Sequence, residues 1–378
     1  MPDATQTLLT GFPATLLGRR MLLKILEAEP QTRLLCLSPP SHADEAEDAL
    51  IALPQPLRER TELVVGDVTS MDLGLSGKRF NDLAARVEVI HHCDAVSHAG
   101  ASRAQAERTN VTGTAEILEL AEACSSLRRL VHWSSALVSG KREGRVAESE
   151  LVPQAHFPSV IEETRYRAER MVRAAMDHLP VTILRPAMIV GDSRTGEIDR
   201  MEGPYLLILL MLSSPVDLRV PLPGRGDVPL NMVPIDYVVD AGHAIATHAG
   251  SIGRSFHLVD ERPPTARRIF ELIAEAAGRP GPVGGLPTQL ASVLLRTPGL
   301  ERFSHIPRAF LEHMATAVSY DARNTRELLT GSGIECPPAG QYLTVMVDYV
   351  RSHQQQRNMD RSRERPEHDD EAVDPLEG

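Results

Sequence analysis

Aromatic residues are scarce in this 378-residue chain: one Trp, six Tyr and seven Phe make up 4% of it. Its core must therefore be built mainly from Leu, Val, Ile and Ala. Cysteine is scarcer still. Cys36, Cys93, Cys124 and Cys336 are scattered without C-x-x-C spacing. That excludes a disulfide framework and the common zinc motifs, so no metal site is expected, only buried thiols in a reducing, cytoplasmic setting. Positive charge is in deficit, with 40 Lys+Arg against 51 Asp+Glu and a net −11. No broad basic face is on offer, so nucleic acid is not an expected partner. Long apolar runs are missing too. The longest, YLLILLML (Tyr205–Leu212), falls well short of the roughly 20 residues that span a bilayer, and reads as a buried helix. No secretory signal precedes the first strand.

What is present is an alternation. TLLTGFP, TRLLCLSPP, TELVVGDVT, VEVIHHCDAV, LRRLVHWSSALV and PVTILRPAMIV read as strands, with amphipathic helical stretches between them. Continuous apolar strands alternating with such helices predict an α/β, doubly wound parallel sheet covered on both faces. Such a fold binds ligands at the carboxyl ends of its strands. The expected organisation is a Rossmann-type core over residues 1–195. Residues 196–353 would supply a substrate loop (GDSRTGEIDRMEGPY), returning sheet elements and a smaller, mostly helical cap. From Gln354 the chain is charged, Pro-containing and poor in large apolar residues, which predicts a disordered tail over 354–378.

LLTGFPATLLGRR (Leu8–Arg20) lies between a strand and a helix, where a glycine turn presents backbone N–H groups and a helix N-terminus to a pyrophosphate. Gly11 suits that role. In strict G-x-x-G-x-x-G register the next positions are Ala14 and Leu17, so Gly18 serves as the third glycine only in a turn one residue longer. An ordinary strand-to-helix turn is the alternative. Ser38, ending the next strand, is neither the acid that binds ribose hydroxyls nor the arginine that accepts a 2′-phosphate, so NAD and NADP are not distinguished.

The order of motifs resembles that of the extended short-chain dehydrogenase/reductases. The branch it is most similar to holds fatty acyl-CoA reductases and thioester reductases, the male-sterility-like enzymes. The resemblance covers roughly residues 5–350. It is carried by TGFP, GDVTSMDLGLS (Gly66–Ser76), NVTGT (Asn110–Thr114), SSALVSG (Ser134–Gly140), LRPAMIVGDSRTGE (Leu184–Glu197), MEGPY and NMVPIDYVVDA (Asn231–Ala241). It implies an NAD(P)-binding oxidoreductase acting on an acyl thioester or another long-chain carbonyl, with a homodimer possible through the helix at 161–175. It also implies that Gly11, Phe12, Pro13, Gly18 and Ser38 border the cofactor, that Asp67 contacts the adenine, and that Asn110 braces the site. Ser135 would be the catalytic serine, and Pro186 would begin the loop passing the nicotinamide.

The same resemblance sets the register of FPSVIEETRYRAERMVRAA. The family's tyrosine falls 26 residues beyond Ser135, at Ile161, and its lysine falls at Arg165. Isoleucine cannot donate a proton, and the general-acid contribution it forfeits is typically about 10²–10⁴-fold. Arg165 keeps a charge and donors that can hold a ribose or stabilise an oxyanion, but it is no acid at neutral pH. Tyr166 lies about 140° around the helix from Ile161 and should point away from the cleft. His98 is a candidate stand-in, although a loop-bracing role is the plainer reading, and Glu162 and Glu163 read as a solvated helix face. Asp94 occupies a place where the family has a small residue, and would repel a diphosphate unless paired or turned outward. Two functions follow as expectations: a reductase with impaired or altered catalysis, or a non-catalytic nucleotide- or acyl-ligand-binding member of the family.

Overall fold

The computed structural model describes residues 5–98, 100–152, 156–213, 221–223, 226–286, 313–314 and 316–363. Seven parallel strands form the main sheet: β1 (Thr5–Thr10), β2 (Thr32–Ser38), β3 (Thr61–Val65), β4 (Val89–His92), β5 (Arg129–Trp133), β6 (Val181–Pro186) and β7 (Arg254–Leu258). Their order across the sheet is β7-β6-β5-β4-β1-β2-β3. The order reverses between β1 and β4, which creates a crevice at their carboxyl ends. Every residue of β6 is buried, as expected of a strand covered on both faces.

Helices α1 (Leu16–Ala28), α2 (Ala43–Ile51), α3 (Gly77–Arg86), α4 (Gly113–Ala123), α5 (Val160–Ala175) and α7 (Ile235–Thr247) cover the sheet. One face packs Met21, Leu22 and Ile25 of α1 with Val238, Ala241 and Ile245 of α7. The other packs Leu83 of α3, Ile117 and Leu120 of α4 and Val172 of α5. The sheet thus draws its seventh strand from beyond residue 195.

A separate core holds α6 (Pro204–Ser213), α8 (Ala266–Ala277) and the first turns of α9 (Ala339–Arg363), through Tyr205, Ile208, Phe270, Ile273, Leu343 and Met346. The apolar run at Tyr205–Leu212 is thus a helix packed into protein. No described helix is long and apolar enough to cross a membrane. Two sequence expectations need correction. Residues 354–363 continue α9 as helix rather than starting a disordered tail, and Gln354 donates to Ser213 Oγ at 3.2 Å. The rest of the expected tail, 364–378, lies outside the described residues, as does 287–312 of the expected cap. The second correction concerns Glu162 and belongs to the site.

Candidate functional site

The strand-to-helix turn after β1 is built around two glycines. Gly11 has φ +83°, and a Cβ there would lie 2.9 Å from the Cys93 carbonyl carbon. Only glycine suits both the left-handed backbone and that approach. A Cβ on Gly18 would sit 2.6 Å from the Gly11 oxygen, so Gly18 seats the first turn of α1 directly on the glycine turn. The turn is therefore the longer form, with Gly18 as its packing glycine. Thr15 caps α1, its Oγ1 accepting from Gly18 N at 2.9 Å and donating to the Gly11 carbonyl at 2.9 Å. Phe12 and Pro13 are buried.

Arginines on α1 tie the 192–199 loop across this turn. Arg19 donates to the Pro13 carbonyl at 2.7 Å and pairs with Asp199. Arg20 pairs with Glu197 at 2.9 Å and with the buried Asp192 at 3.5 Å.

Ser38 ends β2 fully buried, and its hydroxyl has no partner among the described residues. Asp67 turns inward on its own loop, its Oδ1 accepting from Thr69 N at 2.8 Å. Asp94 is half-buried beside it. Burial first, and then the Asp67 charge, raise the Asp94 carboxyl to about 6, with His42 opposing. This turn fits a dinucleotide, because a glycine-lined cradle, an orphaned hydroxyl and a capped helix N-terminus converge at the crevice. The Asp94 carboxyl, while charged, works against a phosphate there.

Across the crevice, Ser135 follows β5 and opens a short 3-10 turn, its Oγ accepting from Leu137 N at 3.2 Å. The residue before it is fixed at three points. Ser134 N donates to the Leu184 carbonyl at 2.8 Å, its Oγ donates to Glu169 at 2.6 Å, and its carbonyl accepts from Arg165 Nη1 at 3.2 Å. Arg165 thus reaches from α5 to the start of the Ser135 turn. Burial pulls its pKa down to about 10. It has no carboxylate partner among the described residues, unlike its neighbours Arg167 and Arg173.

Asn110 sits in a short π-helical stretch, Glu107–Thr112. Its Oδ1 accepts from Val96 N at 2.8 Å and its Nδ2 donates to Thr164 Oγ1 at 2.9 Å. It links the loop after β4 to α5. His92 bridges Thr10 at 2.9 Å and Thr114 at 3.2 Å. Its ring lies 5.6 Å from that of His132, and burial suppresses the charge of both. Pro186 ends β6. His98 lies half-buried in the loop after β4, its carbonyl accepting from Ala101 N. Tyr166 is buried against the Phe157 ring at 5.2 Å.

On α5 the two glutamates differ. Glu163 is partly exposed and pairs with Arg103 at 3.0 Å. Glu162 is only 3% exposed, which corrects its reading as solvated. Folding brings His313 onto its carboxylate at 3.1 Å.

Behind the site, Glu169 accepts from Ser134, Arg173 and Arg185, and Arg185 donates onward to the Glu148 and Glu150 carbonyls. His257 donates Nδ1–H to the Asp321 carbonyl at 2.7 Å, which leaves Nε2 to accept from Arg185 at 3.3 Å. The Glu148 carboxylate accepts from His257 N, Asn324 N and Thr325. None of this network was legible in the sequence. Among the described residues no cluster of three or more His, Cys, Asp or Glu could hold a metal.

A family model described as Male sterility protein matches residues 9–242. A linear gramicidin synthase chain of Brevibacillus parabrevis is 29% identical over 218 residues, 56% of this chain and 4% of that protein. The fatty acyl-CoA reductase wat of Drosophila melanogaster is 29% identical over 242 residues, 57% of this chain and 44% of that protein. The chain therefore spans less than half the length of both. In fold, it is similar to the terminal R domain from the myxalamid PKS-NRPS biosynthetic pathway, with a TM-score of 0.80, 23% identity, and coverage of 93% of this chain and 92% of that one.

Proposed function

Because the chain belongs to the male sterility protein family, matched over residues 9–242, we propose that it is a nicotinamide-dependent reductase of acyl thioesters or related long-chain carbonyls. Its chemistry is altered, because Ile161 and Arg165 stand where the resemblance implies tyrosine and lysine. In this reading residues 1–195 hold the nucleotide, and 196–353 supply the substrate loop and cap.

The observation that carries the proposal is the Arg165 guanidinium anchored on the Ser134 carbonyl with no described carboxylate to neutralise it. A half-buried cation held at the residue before Ser135, with no described carboxylate partner, is suited to charge that develops on a substrate oxygen. When bound, the reduced nicotinamide supplies hydride. The chain's own residues do the rest. Ser135 orients the carbonyl, Arg165 stabilises the oxyanion, and Asn110 keeps α5 in register with the loop after β4. The glycine turn and Ser38 border the nucleotide, whether NAD or NADP.

The test is oxidation of NADH or NADPH by purified protein with acyl-CoAs, acyl-carrier thioesters and aldehydes. Turnover is expected with at least one class, and Arg165→Ala should lower kcat by about 10²–10³-fold, the usual cost of one oxyanion donor. No oxidation with any of them overturns the reading. Ile161 and Asp94 favour a second reading, a non-catalytic nucleotide or acyl binder. Nucleotide binding without oxidation, with turnover appearing in an Ile161→Tyr/Arg165→Lys variant, would support it.

A further inference from the structure

The 192–199 segment touches both halves of the molecule, and by two kinds of contact. On the cap side the contacts are neutral and close. Tyr205 of α6 donates its hydroxyl to the Gly196 carbonyl at 2.8 Å. Gly196 has φ +74°, and a Cβ there would lie 2.6 Å from the Tyr349 Cβ on α9. Backbone seated so tightly against a helix has little room to move apart from the cap.

On the nucleotide side the contacts are ionic. Arg19, the fourth residue of α1, folds back over the glycine turn. It donates Nη1–H to the Pro13 carbonyl at 2.7 Å while its other terminal nitrogen pairs with Asp199. One planar guanidinium thus holds the turn and the segment together, a fork that a lysine ammonium does not offer. Arg20 pairs with Glu197 at 2.9 Å and stands 3.5 Å from Asp192. Asp192 is buried, and its Oδ1 accepts from Arg194 N at 2.9 Å and Thr195 N at 3.1 Å, so it shapes the segment. Its nearest cation among the described residues is Arg20, since Arg194 is 3.9 Å away and mostly in solvent.

Anchoring the segment does not require these arginines. Tyr205 and Gly196 already fix it to the cap, and Asp236 accepts from Ser193 N at 2.9 Å and from Ser193 Oγ at 2.5 Å. Ion pairs as open as Arg19–Asp199, with side chains 36% and 31% exposed, add little to folding. What they add is a connection, from the segment to the carbonyl and helix end that form the phosphate cradle.

We propose that Arg19 and Arg20 are positioning residues that couple the two ligand sites. Nucleotide in the glycine turn fixes that turn, and the arginines pass its order to the 192–199 segment. Nucleotide then binds first, and the acyl substrate meets a segment already in place. This rests on the reading above, in which the glycine turn holds the nucleotide and the loop borders the substrate. The coupling is one of order rather than of shape, because a turn stiffened by its ligand reduces the entropy lost in ordering whatever is tied to it.

Hydrogen exchange reads the segment directly, because the amides of Asp192, Ser193, Arg194, Thr195 and Gly196 are all hydrogen-bonded. With saturating NADH or NADPH, exchange across 192–199 should slow at least about fivefold. The Asp199→Asn/Glu197→Gln protein loses partners outside the nucleotide turn. It should still bind nucleotide and keep its thermal midpoint, while its exchange returns toward the nucleotide-free rate. Arg20→Gln should lose protection as well, and Arg20→Lys, which keeps the charge opposite Asp192, should retain it. Wild type that binds nucleotide without slower exchange in this segment overturns the proposal and leaves the reductase reading standing. So does protection in the double variant equal to that of wild type. A double variant with a lowered midpoint and faster exchange throughout the chain does the same, by showing the pairs to be structural. Wild type that binds neither NADH nor NADPH in a fluorescence titration overturns both.

Discussion

Glu169 and Arg185, sixteen positions apart, face each other wholly out of solvent, with Arg185 Nε 2.9 Å from Glu169 Oε2. The pair joins the middle of α5 to the end of β6. Through Ser134 on one side and His257 on the other, it links the Ser135 turn to the 321–325 segment. The register of α5, and with it the positions of Ile161 and Arg165, depends on this contact.

Removing one partner should therefore be costly. Burial opposes the Glu169 charge, but Arg185, Arg173 and Ser134 outweigh it and hold the carboxyl down to about 2. Glu169→Gln would leave Arg185 buried without a counter-charge, at a cost of about 3–5 kcal/mol. Urea unfolding at pH 7 should show this loss, and a change below about 1 kcal/mol would refute it.

Acid should unfold the protein through its histidines. Burial lowers His91 and His132 to about 4 and His257 to about 3. In the unfolded chain all three titrate near 6.5, so below that pH the unfolded state binds the extra protons. Their contribution is complete above about pH 6.5 and is lost as pH falls toward 4, at about 1.4 kcal/mol per pH unit for each proton. Unfolding free energies between pH 7 and pH 4.5 should decline steeply. A flat profile would mean that these rings are protonated in the folded state.

Nucleotide affinity should also vary with pH, in a direction set by Asp94. Its carboxyl, raised to about 6, is charged at pH 8 and neutral at pH 5, so a diphosphate should bind more tightly as pH falls through 6. Asp94→Ala should gain about tenfold in affinity at pH 8 and little at pH 5. Fluorescence titration of NADH and NADPH at both pH values measures this, and equal gains would show that the carboxylate does not face the phosphates.

Gly18→Ala should disturb both the fold and the site. The added methyl would lie 2.6 Å from the Gly11 oxygen, and backbone on both sides cannot yield cheaply. A loss of about 1–3 kcal/mol in stability and weaker nucleotide binding are expected, from thermal unfolding and the same titration. Gly77→Ala, where a Cβ would meet nothing within 4 Å, is the control.

Much of the fold was legible in the sequence because its signals are local. Six apolar runs marked six of the seven strands of the sheet, the returning sheet elements expected beyond residue 195 include β7, and Gly11 stood where a turn must form. Gly18 was ambiguous for a physical reason. Spacing alone cannot tell a longer turn from a broken one, and only its seat on the Gly11 carbonyl decides. Glu162 was misread because helical periodicity describes a helix against one partner, whereas α5 meets the sheet on one side and the chain near 313–320 on another.

The sequence by itself determined the doubly wound sheet, the order of motifs and the two replacements at Ile161 and Arg165, since strand alternation, helix spacing and turn chemistry act over a few residues. Only the tertiary structure decided which charges lie in the interior and what they face. Arg185 meets Glu169 from 16 positions away and His257 from 72, and Glu162 meets His313 from 151 positions away. Burial makes such pairings strong, because low polarity magnifies a charge and penalises one left alone.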